Sequence, residues 1–467
     1  MLKLSSTESG PEIGLPNYKN IATTIFLSGI AAANPEKSVK NFLSSKNGKI
    51  VIKSNGKRKF RFTSYNKVII IAFGKAAIPM TMMTKKIIPT AKLKDCVVVT
   101  NHENYKKIPN FKVFGAGHPW PDSSGVKASR TILKIMKNTQ KKDLILTLIS
   151  GGGSALLPAP LEDVQAKIKI TLTDKIRMTK MLLKSGATIN EVNTVRKKIS
   201  MIKGGKLALS AYPANLHALI LSDVLGDDLS SIASGPTVPD KTKYIDAKKI
   251  LKKYKIWNSA PKRVIACIDD GCRGRIPENY SNAYSKIFTH SNSTIVGSNA
   301  ISLSAIEKKA KKYFKYVEIW NQSLTGEASV QARKLAKYLK SKSKRPMAIL
   351  AGGEMTVTIV GKGKGGRNQE FALAFALEAE RLKIQKNWTL LSAGTDGRDG
   401  PTNAAGGIVN NFTIKNIRKK RLSPERLLRN NDSYKALKAA NALFVTGATG
   451  TNAVSYTHLT LPTILLV

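Results

Sequence analysis

The chain has 467 residues, of which 42% are hydrophobic and 23% are charged. This composition is typical of a folded globular protein and excludes disorder along the whole chain, while the length favours two domains. Subtracting 30 Asp and Glu from 77 Lys and Arg gives a formal net charge of +47, a value that raises the question of nucleic-acid binding. Only 6% of the residues are aromatic and no zinc-finger, RRM or KH pattern occurs, so we interpret the surplus as a lysine-rich solvated surface and expect no specific nucleic-acid partner.

The cysteines and the apolar runs bear on location. Cys96, Cys267 and Cys272 show no CxxC spacing and cannot build a disulfide framework, which predicts a reducing cytoplasm. The N-terminal MLKLSSTESGPEIG lacks the apolar core of a signal peptide, and runs such as 68–73 are far shorter than a membrane span. We therefore predict a soluble cytoplasmic protein with no membrane contact. Whether it forms a homodimer is left open by the sequence.

The first elements in chain order predict a parallel sheet. Residues 18–46 have apolar positions at helical spacing. Strand-like apolar and β-branched runs follow at 67–73, 96–100, 111–114, 144–149 and 218–222. Such runs suit strands that are buried on both faces. Their alternation with helical patterns at 124–137 and 174–185 predicts a doubly wound α/β sheet.

A second α/β series follows a charged stretch that ends at Pro346. Its predicted elements are strands 348–351 and 356–360, helix 368–381, and strands 389–392 and 442–446. We place a domain boundary before this series and predict domains at 18–330 and 345–453. The short runs 294–296 and 316–319 fit either sheet.

The C-terminal residues 454–467 break the preceding pattern. They include SYTHLTLPT, which is similar to vector or adaptor readthrough. We predict that this tail is not native and leave it out of the functional argument.

Two strand ends carry residues suited to phosphate. Gly74 and Lys75 follow the strand at 67–71, where a glycine allows close approach and a lysine can neutralise a phosphoryl group. A solvated lysine at a helix start explains Lys75 equally well. The turn Ser150, Gly151, Gly152, Gly153 and Ser154 follows the strand at 144–149 and would present free N–H groups to an anion. A tight strand–helix turn is the alternative.

Further candidates are polar or acidic. Asn193, Arg196, Ser200 and Lys203 share one helix face, as they would also in an ordinary amphipathic surface helix. The carboxylates Asp223, Asp227 and Asp228 follow the strand at 218–222 and suit Mg²⁺, although aspartate also caps helices. Asp396 and Asp399 form a second acidic loop, in which turn formation alone would also select Asp-Gly.

The loop 361–366 alternates Gly and Lys before Arg367, Asn368, Gln369 and Glu370. Glycine at this density is costly unless the backbone approaches something closely, and an arginine at a helix start suits carboxylate or phosphate. This is the most specific of the single motifs. The alternative is a hairpin-like loop with incidental charge.

The ordered set of motifs resembles the MOFRL-type glycerate 2-kinases. The matching stretches are GKAA, GHPWPD, SGGGSALL, RKKISMIKGG, SDVLGDDLSSIASGPTVPD, GGEMTVTIVGKGKGGRNQE, GTDGRDGPTNAAG, NDSY and TGATGTN, from about residue 20 to 452. The resemblance implies a Rossmann-like parallel-sheet N-terminal domain, a smaller α/β MOFRL domain and an active site in the cleft between them. It also implies transfer of the ATP γ-phosphoryl group to the 2-hydroxyl of D-glycerate, giving 2-phosphoglycerate.

The resemblance assigns roles to individual residues. The family's catalytic lysine corresponds to Lys75 and its cleft arginine to Arg367. With Mg²⁺ and ATP as cofactors, we assign the metal to Asp223 and Asp396. The residues assigned to the substrate are Asn193, Arg196, Asn368 and Glu370. The alternative function is an NAD(P)H-dependent hydroxypyruvate reductase, for which the chain lacks a clean GxGxxG fingerprint with its downstream acid.

The sequence departs from the family pattern at three places. Lys198 stands where the family usually has histidine, and Asn403 stands where it usually has an acid. We expect these two changes to bear on local substrate contacts. The third is the replaced C-terminal strand after Asn452, which would affect the stability and edge packing of the second domain.

Overall fold

The computed structural model describes residues 18–54, 59–163, 166–279, 285–342, 347–384, 387–447, 449 and 455–461. The N-terminal segment 1–17 and the tail residues 454 and 462–467 lie outside these ranges, as does most of the TGATGTN motif. Within the described ranges, no helix combines the length and apolarity that crossing a membrane requires.

The secondary structure alternates helices and strands. The helices in chain order are α1 (Tyr18–Ala32), α2 (Pro35–Phe42), α3 (Ala77–Ile87), α4 (Ser123–Lys137), α5 (Gly153–Leu156), α6 (Leu172–Lys184), α7 (Ile189–Lys198), α8 (Lys206–Ala211), α9 (Tyr244–Lys253), α10 (Lys262–Cys272), α11 (Ser285–Phe288), α12 (Asn299–Ala310), α13 (Ala328–Ser341), α14 (Arg367–Arg381), α15 (Thr413–Lys419), α16 (Pro424–Arg429) and α17 (Ser433–Ala439). The strands in chain order are β1 (Leu43–Lys46), β2 (Lys49–Lys53), β3 (Lys59–Phe62), β4 (Val68–Phe73), β5 (Leu93–Asn101), β6 (Lys112–Ala116), β7 (Leu144–Ile149), β8 (Glu162–Asp163), β9 (Ile168–Lys169), β10 (Asn215–Leu221), β11 (Ser291–Gly297), β12 (Tyr316–Leu324), β13 (Met347–Gly353), β14 (Thr389–Gly394), β15 (Gly406–Asn410), β16 (Leu443–Phe444) and β17 (Ser455–Leu461).

The described chain divides into two compact units. One runs from Pro35 to Val296, and the other combines the described residues up to Asn34 with those from Gly297 onward. The division differs from the predicted domains 18–330 and 345–453, because α1 and residues 297–330 group with the second series. The reason is packing: Phe26 and Ile30 of α1 share a core with Ile306 of α12, and a Cβ on Gly29 would lie 2.6 Å from the Ile306 side chain.

The unit 35–296 is built on a six-stranded sheet in the order β6-β5-β4-β7-β10-β11. The pairs β5–β6, β4–β5, β4–β7 and β7–β10 are parallel. Every residue of β4 and β7 is buried, which explains their unbroken apolar sequences. The predicted doubly wound α/β fold is confirmed.

The strand order places two turns at the centre of one sheet edge. From β4 the chain adds β5 and β6 on one side, and it then adds β7, β10 and β11 on the other. The parallel pair β4 and β7 ends with Phe73 opposite Ile149. Both strands therefore finish at the same level, at the topological switch point where open α/β sheets bind ligands.

The second unit has a mixed sheet in the order β12-β13-β17-β14-β15-β16. β12 and β13 are parallel, and the remaining pairs are antiparallel. The run 316–319 thus belongs to this sheet, whereas 294–296 lies in the first. Helices α13 and α14 cover the sheet through buried residues that include Leu335, Phe371 and Phe375.

One predicted strand of this unit, 356–360, is wrong. Its only ladder contact within the described chain is an isolated bridge between Thr356 and Glu327. The Glu327 carboxylate accepts hydrogen bonds from both the amide and the hydroxyl of Thr358, so a side chain satisfies the backbone there. Ile359 and Val360 are 80% and 78% exposed and pack no sheet face.

The predicted non-native tail contributes an interior strand. The backbone of β17 pairs with β13 from Ser455 to Leu461 and with β14 from Ser455 to Thr460. The replaced strand was expected to affect the edge packing of the second domain. Because β17 lies between β13 and β14, it would affect the middle of the sheet instead. That the tail is not native stays a prediction.

Candidate active site

The turn after β4, at residues 74–76, is hydrogen-bonded to the turn after β7, at residues 150–154. The amide of Lys75 donates to the carbonyl of Gly151 at 2.9 Å, and the amide of Ala76 donates to Oγ of Ser150 at 3.0 Å. Gly74 has a φ of +127°, and a Cβ there would lie 2.1 Å from Oγ of Ser150, so this position requires glycine. Ser150 itself is only 1% exposed. Its hydroxyl joins the two turns, a role that sequence reasoning did not predict. The assignment of Ser150 to phosphate stays a prediction.

Lys75 and His118 both lie beside Gly152 of the second turn. A Cβ built on Gly152 would lie 3.0 Å from Cδ2 of His118 and 3.4 Å from Cγ of Lys75. Asn104 holds the lysine backbone by donating to the carbonyl of Lys75 at 3.0 Å. Burial, followed by the charge of Lys75, lowers the pKa of His118. Sequence reasoning did not place His118 in the site, although the GHPWPD motif that contains it was noticed.

The turn ends at Ser154, which belongs to a chain of polar side chains. Oγ of Ser154 lies 2.9 Å from Oγ of Ser234, which donates to Oδ1 of Asn193 at 3.0 Å. Arg196 and Lys203 both donate to the carbonyl of Ser154, at 3.4 and 2.7 Å. The structure thus brings the predicted residues Asn193 and Arg196 of α7 to the end of the predicted phosphate turn.

A strained turn at residues 233–235, between β10 and α9, supports this chain of polar side chains. Ala233, Ser234 and Gly235 have φ angles of 50°, 63° and 63°, a left-handed run that is costly for the two residues with a Cβ. A Cβ on Gly153 would approach the Cβ of Ala233 to 3.2 Å, so the strained turn packs directly against the glycine turn.

Two acidic residues after β10 suit a magnesium ion. Asp223 is half-buried, and Oδ1 of Asp227 is buried without a hydrogen-bond partner in the described chain. Asp228 instead accepts hydrogen bonds from Ser230 and Ser231 and closes its own turn. The described residues contain no group of three or more potential metal-ligating side chains. Mg²⁺ often takes only one or two carboxylates and completes its shell with phosphate and water, so Asp223 and Asp227 have the chemistry of Mg²⁺ ligands without forming such a group.

Lys198, the departure from the family pattern, is fully buried. Its Nζ lies 3.3 Å from Asp240 and 3.1 Å from Glu278, and it also donates to the carbonyl of Thr242. The side chain therefore holds the segment after β10 by ion pairs within the protein. Asn403, the second departure, accepts a hydrogen bond from the hydroxyl of Tyr434 at 2.9 Å.

Arg367 begins α14 in the other unit, and Asp399 fixes that helix start. Nη1 of Arg367 lies 3.0 Å from Oε1 of Glu354, with both side chains partly exposed. The Asp399 carboxylate accepts the amides of Asn368 and Gln369 at 3.1 and 2.8 Å. It also accepts both of their side-chain amides at 3.1 Å. Asp399 is the acceptor that caps α14.

The predicted substrate residues Asn368 and Glu370 are buried. Asn368 is 1% exposed, and its Oδ1 accepts from the hydroxyl of Ser392 at 3.0 Å. Glu370 is 5% exposed and accepts from Nδ2 of Asn431 at 3.3 Å, while burial raises its pKa to about 7. Their substrate role stays a prediction. Asp396, predicted for the metal, is exposed and accepts the amide of Arg398 at 3.1 Å.

The Gly/Lys loop before Arg367 is shaped by residues 430–433. Asn431 Oδ1 accepts the amides of Val360 and Gly361 at 2.8 and 2.9 Å, and Asp432 accepts that of Lys364 at 3.2 Å. A Cβ on Gly361, Gly363 or Gly365 would lie within 2.4 Å of this segment. The close approach inferred from the glycines is therefore to the protein itself, and a partner so distant along the chain could not be identified from the loop sequence.

Comparisons with known proteins match both parts of the chain. A family model described as a domain of unknown function, DUF4147, matches residues 21–269, and the MOFRL family model matches residues 347–455. Glycerate 2-kinase of Pyrococcus horikoshii is 38% identical over 443 residues, which cover 93% of this chain and 96% of that protein. D-glycerate 2-kinase of Thermotoga maritima is 39% identical over 444 residues, with the same two coverages. The crystal structure of glycerate kinase from Thermotoga maritima superposes with a TM-score of 0.81 at 36% identity, covering 95% of this chain and 99% of that one.

Proposed function

Because the chain belongs to the glycerate 2-kinase family, in which a DUF4147 domain is combined with a MOFRL domain, we propose that it phosphorylates D-glycerate at the 2-hydroxyl with ATP. The P–O bond between the γ-phosphorus and the bridging oxygen breaks, a new bond forms to O2 of glycerate, and the hydroxyl proton leaves. The products are 2-phosphoglycerate and ADP. The single structural observation that supports the site is the pair of turns fastened together at the switch point of the first sheet.

Lys75 is the proposed catalytic cation of this site. Its backbone is fixed on both sides, by Gly151 and by Asn104, and its stem lies against Gly152. Phosphoryl transfer depends mainly on positioning and on neutralising the charge spread over the phosphoryl oxygens. A lysine held this way can meet that charge without reorganisation at the moment of reaction.

Arg367 is the proposed second cation, contributed by the MOFRL unit. Its carboxylate partner Glu354 is exposed, so the pair can exchange for an anionic ligand at small cost. An arginine fork matches the paired oxygens of a phosphoryl or carboxylate group. That Lys75 and Arg367 act on the same phosphoryl group is part of the proposal.

Asp223 and Asp227 would hold Mg²⁺ in the unit 35–296, and Asp396 was predicted to do so in the other. The ion supplies charge neutralisation on the ATP phosphates when bound. Asp227 is one of the three carboxylates that suit Mg²⁺ in the sequence, although only Asp223 and Asp396 were assigned to it. Its buried oxygen, which has no hydrogen-bond partner in the described chain, is the acceptor in this loop that most needs a ligand. The proposed setting is a reducing cytoplasm, in which Cys96, Cys267 and Cys272 stay the free thiols they are in the structure.

The test is an assay that separates the two candidate activities. The protein is incubated with D-glycerate, ATP and MgCl₂ while ADP is followed, and in parallel with hydroxypyruvate and NADH. We expect ADP release that depends on glycerate. The product should be converted to phosphoenolpyruvate by enolase alone, whereas 3-phosphoglycerate would first require a mutase. Oxidation of NADH with no glycerate-dependent ADP would refute the kinase and favour the reductase.

A further inference from the structure

Four buried or half-buried cations surround the C-terminal part of α7 and the residues after it. The four are Lys175, Arg196, Lys203 and Lys206, which we call the cation cluster. Lys203 is 2% exposed and Lys175 is 6% exposed. Each member donates to uncharged oxygen: Lys175 to the carbonyl of Ile199 at 2.9 Å, and Lys206 to that of Ser200 at 2.7 Å.

Two lysines beside the cluster form ion pairs with carboxylates. Lys197 and Lys198, in the same stretch, form ion pairs with Asp240 at 3.3 Å, and Lys198 pairs also with Glu278. No member of the cluster forms an ion pair with a carboxylate among the residues that the structure describes. The fold therefore pairs two buried lysines with carboxylates, whereas the hydrogen bonds of the cluster members go to uncharged oxygens.

Uncompensated charge in the interior carries a free-energy cost. Burial lowers the pKa of Lys175 and Lys203 well below the ordinary value, that of Lys206 to about 8 and that of Arg196 to about 10. A buried charge without a partner destabilises a protein unless something compensates it. An anion bound beside the cluster would remove part of that cost.

Two members of the cluster meet at Ser154. Nζ of Lys203 donates to both the carbonyl and the Oγ of Ser154, at 2.7 and 3.1 Å, and Nη2 of Arg196 donates to the same carbonyl at 3.4 Å. Arg196 and Ser154 are half-buried, so both keep part of their surface in contact with solvent. Lys203 is enclosed behind them and acts through Ser154.

The hydroxyl chain that starts at Lys203 has one direction. Asn193 Oδ1 is an acceptor only, so the Ser234 proton points to it, and Ser154 must then donate to Ser234. Lys203 supplies the donor that Ser154 Oγ accepts. Removing the lysine would leave the start of this chain without its donor and the Ser154 carbonyl with Arg196 alone.

We propose that Lys203 is a positioning residue for catalysis, which together with Arg196 makes the turn at Ser154 a site for the anionic oxygens of a substrate. This inference rests on the proposed kinase function. The chemistry is common to the phosphates of ATP and to the carboxylate of glycerate. The experiment therefore tests both sources.

The variants are Lys203→Met, which keeps the length of the side chain without its charge, Lys203→Arg, which restores the charge, and Lys206→Met as a matched control. Lys206 belongs to the same cluster, but its hydrogen bonds in the described chain go to the carbonyls of Lys197 and Ser200. Thermal unfolding of the full chain is measured with increasing tripolyphosphate and, separately, with increasing D-glycerate. The wild-type Tm should rise with the anion that occupies the site.

In Lys203→Met we expect that rise to disappear, while the free protein unfolds at the same or a higher temperature. KM for the corresponding substrate should increase about 10-fold or more, which equals about 1.4 kcal/mol of binding free energy. Lys203→Arg should recover most of the anion response, and Lys206→Met should retain it. A full anion response in Lys203→Met, or an equal loss in Lys206→Met, would overturn the proposal.

Hydrogen exchange on the wild-type protein gives a second test that needs no variant to fold. Tripolyphosphate or glycerate should slow amide exchange in residues 151–156 and 192–206. Unchanged exchange there with both anions would overturn the proposal. If an anion protects these segments but glycerate is not phosphorylated, the proposed function fails while the anion site stands.

Discussion

The carboxylate of Asp399 accepts four hydrogen bonds at the start of α14, two from backbone amides and two from the side chains of Asn368 and Gln369. We expect Asp399→Ala to leave these donors buried without an acceptor. Loss of a helix cap costs about 0.5–2 kcal/mol, and a buried donor left unsatisfied costs about 1–3 kcal/mol. Because the donors can relax together, we expect a loss of about 3 kcal/mol in the free energy of unfolding of this unit.

Two further variants provide reference values for this loss of stability. Asp399→Asn keeps one oxygen and should lose about half as much, since it can still accept from one of the two residues. Asp396→Ala is the matched control from the same loop, because Asp396 is exposed and accepts a single amide from Arg398. Its effect on stability should stay within about 0.5 kcal/mol.

The measurement is urea unfolding of the full chain, combined with amide exchange of the peptides that contain residues 367–375. Exchange assigns the loss to α14, since the chain has two units and need not unfold in one step. Because Arg367 begins the helix, kcat should fall in Asp399→Ala in proportion to the loosening of the first turn. If Asp399→Ala is as stable as Asp396→Ala and exchanges no faster, the capping argument is wrong.

The remaining predictions concern charge. Lys75→Ala and Arg367→Ala should each lower kcat about 10²-fold or more in the glycerate assay, and near-normal turnover in both would refute their catalytic roles. Burial lowers the pKa of His217 from 6.5 to about 3. As pH falls below 6.5, this histidine therefore becomes protonated in the unfolded chain while it stays neutral in the folded protein. The wild type should therefore lose about 3 kcal/mol of stability between pH 7 and pH 4 that His217→Phe does not lose, and equal losses in urea unfolding would contradict this. Lys206 has its pKa lowered from 10.5 to about 8, so the unfolded chain keeps more protons between these values. Stability should rise with pH across that range by up to about 3 kcal/mol in the wild type relative to Lys206→Met, and parallel pH curves for the two proteins would refute it.

The first sheet was predictable because its signals are local. The strands β4 and β7 are unbroken apolar runs, and a strand that is buried on both faces needs such a sequence. The turns that follow them were found for the same reason, since glycine and lysine at a strand end mark close approach and charge. The family resemblance then supplied the order of the motifs and the reaction, which these local signals could not.

The partners of individual site residues were not predictable. Ser150 and Asn368 have the residue types of ligand-binding groups, but Oγ of Ser150 accepts from the amide of Ala76 and Nδ2 of Asn368 donates to Asp399 inside the protein. Residue type gives the capacity for a hydrogen bond and not the identity of the other atom. Residue type misleads in the opposite sense at Lys203. A lysine is almost always expected in solvent, but this one is enclosed by protein.

The net charge of +47 shows why position matters more than number. A lysine on the surface is hydrated, and at physiological salt its field is screened over about 8 Å. Lys203 is neither hydrated nor screened in this way, because protein surrounds it and Ser154 separates it from solvent. The large surface surplus can hasten the arrival of any anion. We propose that discrimination among anions depends instead on the few buried cations beside the turns after β4 and β7, where the local dielectric is low and the geometry is fixed.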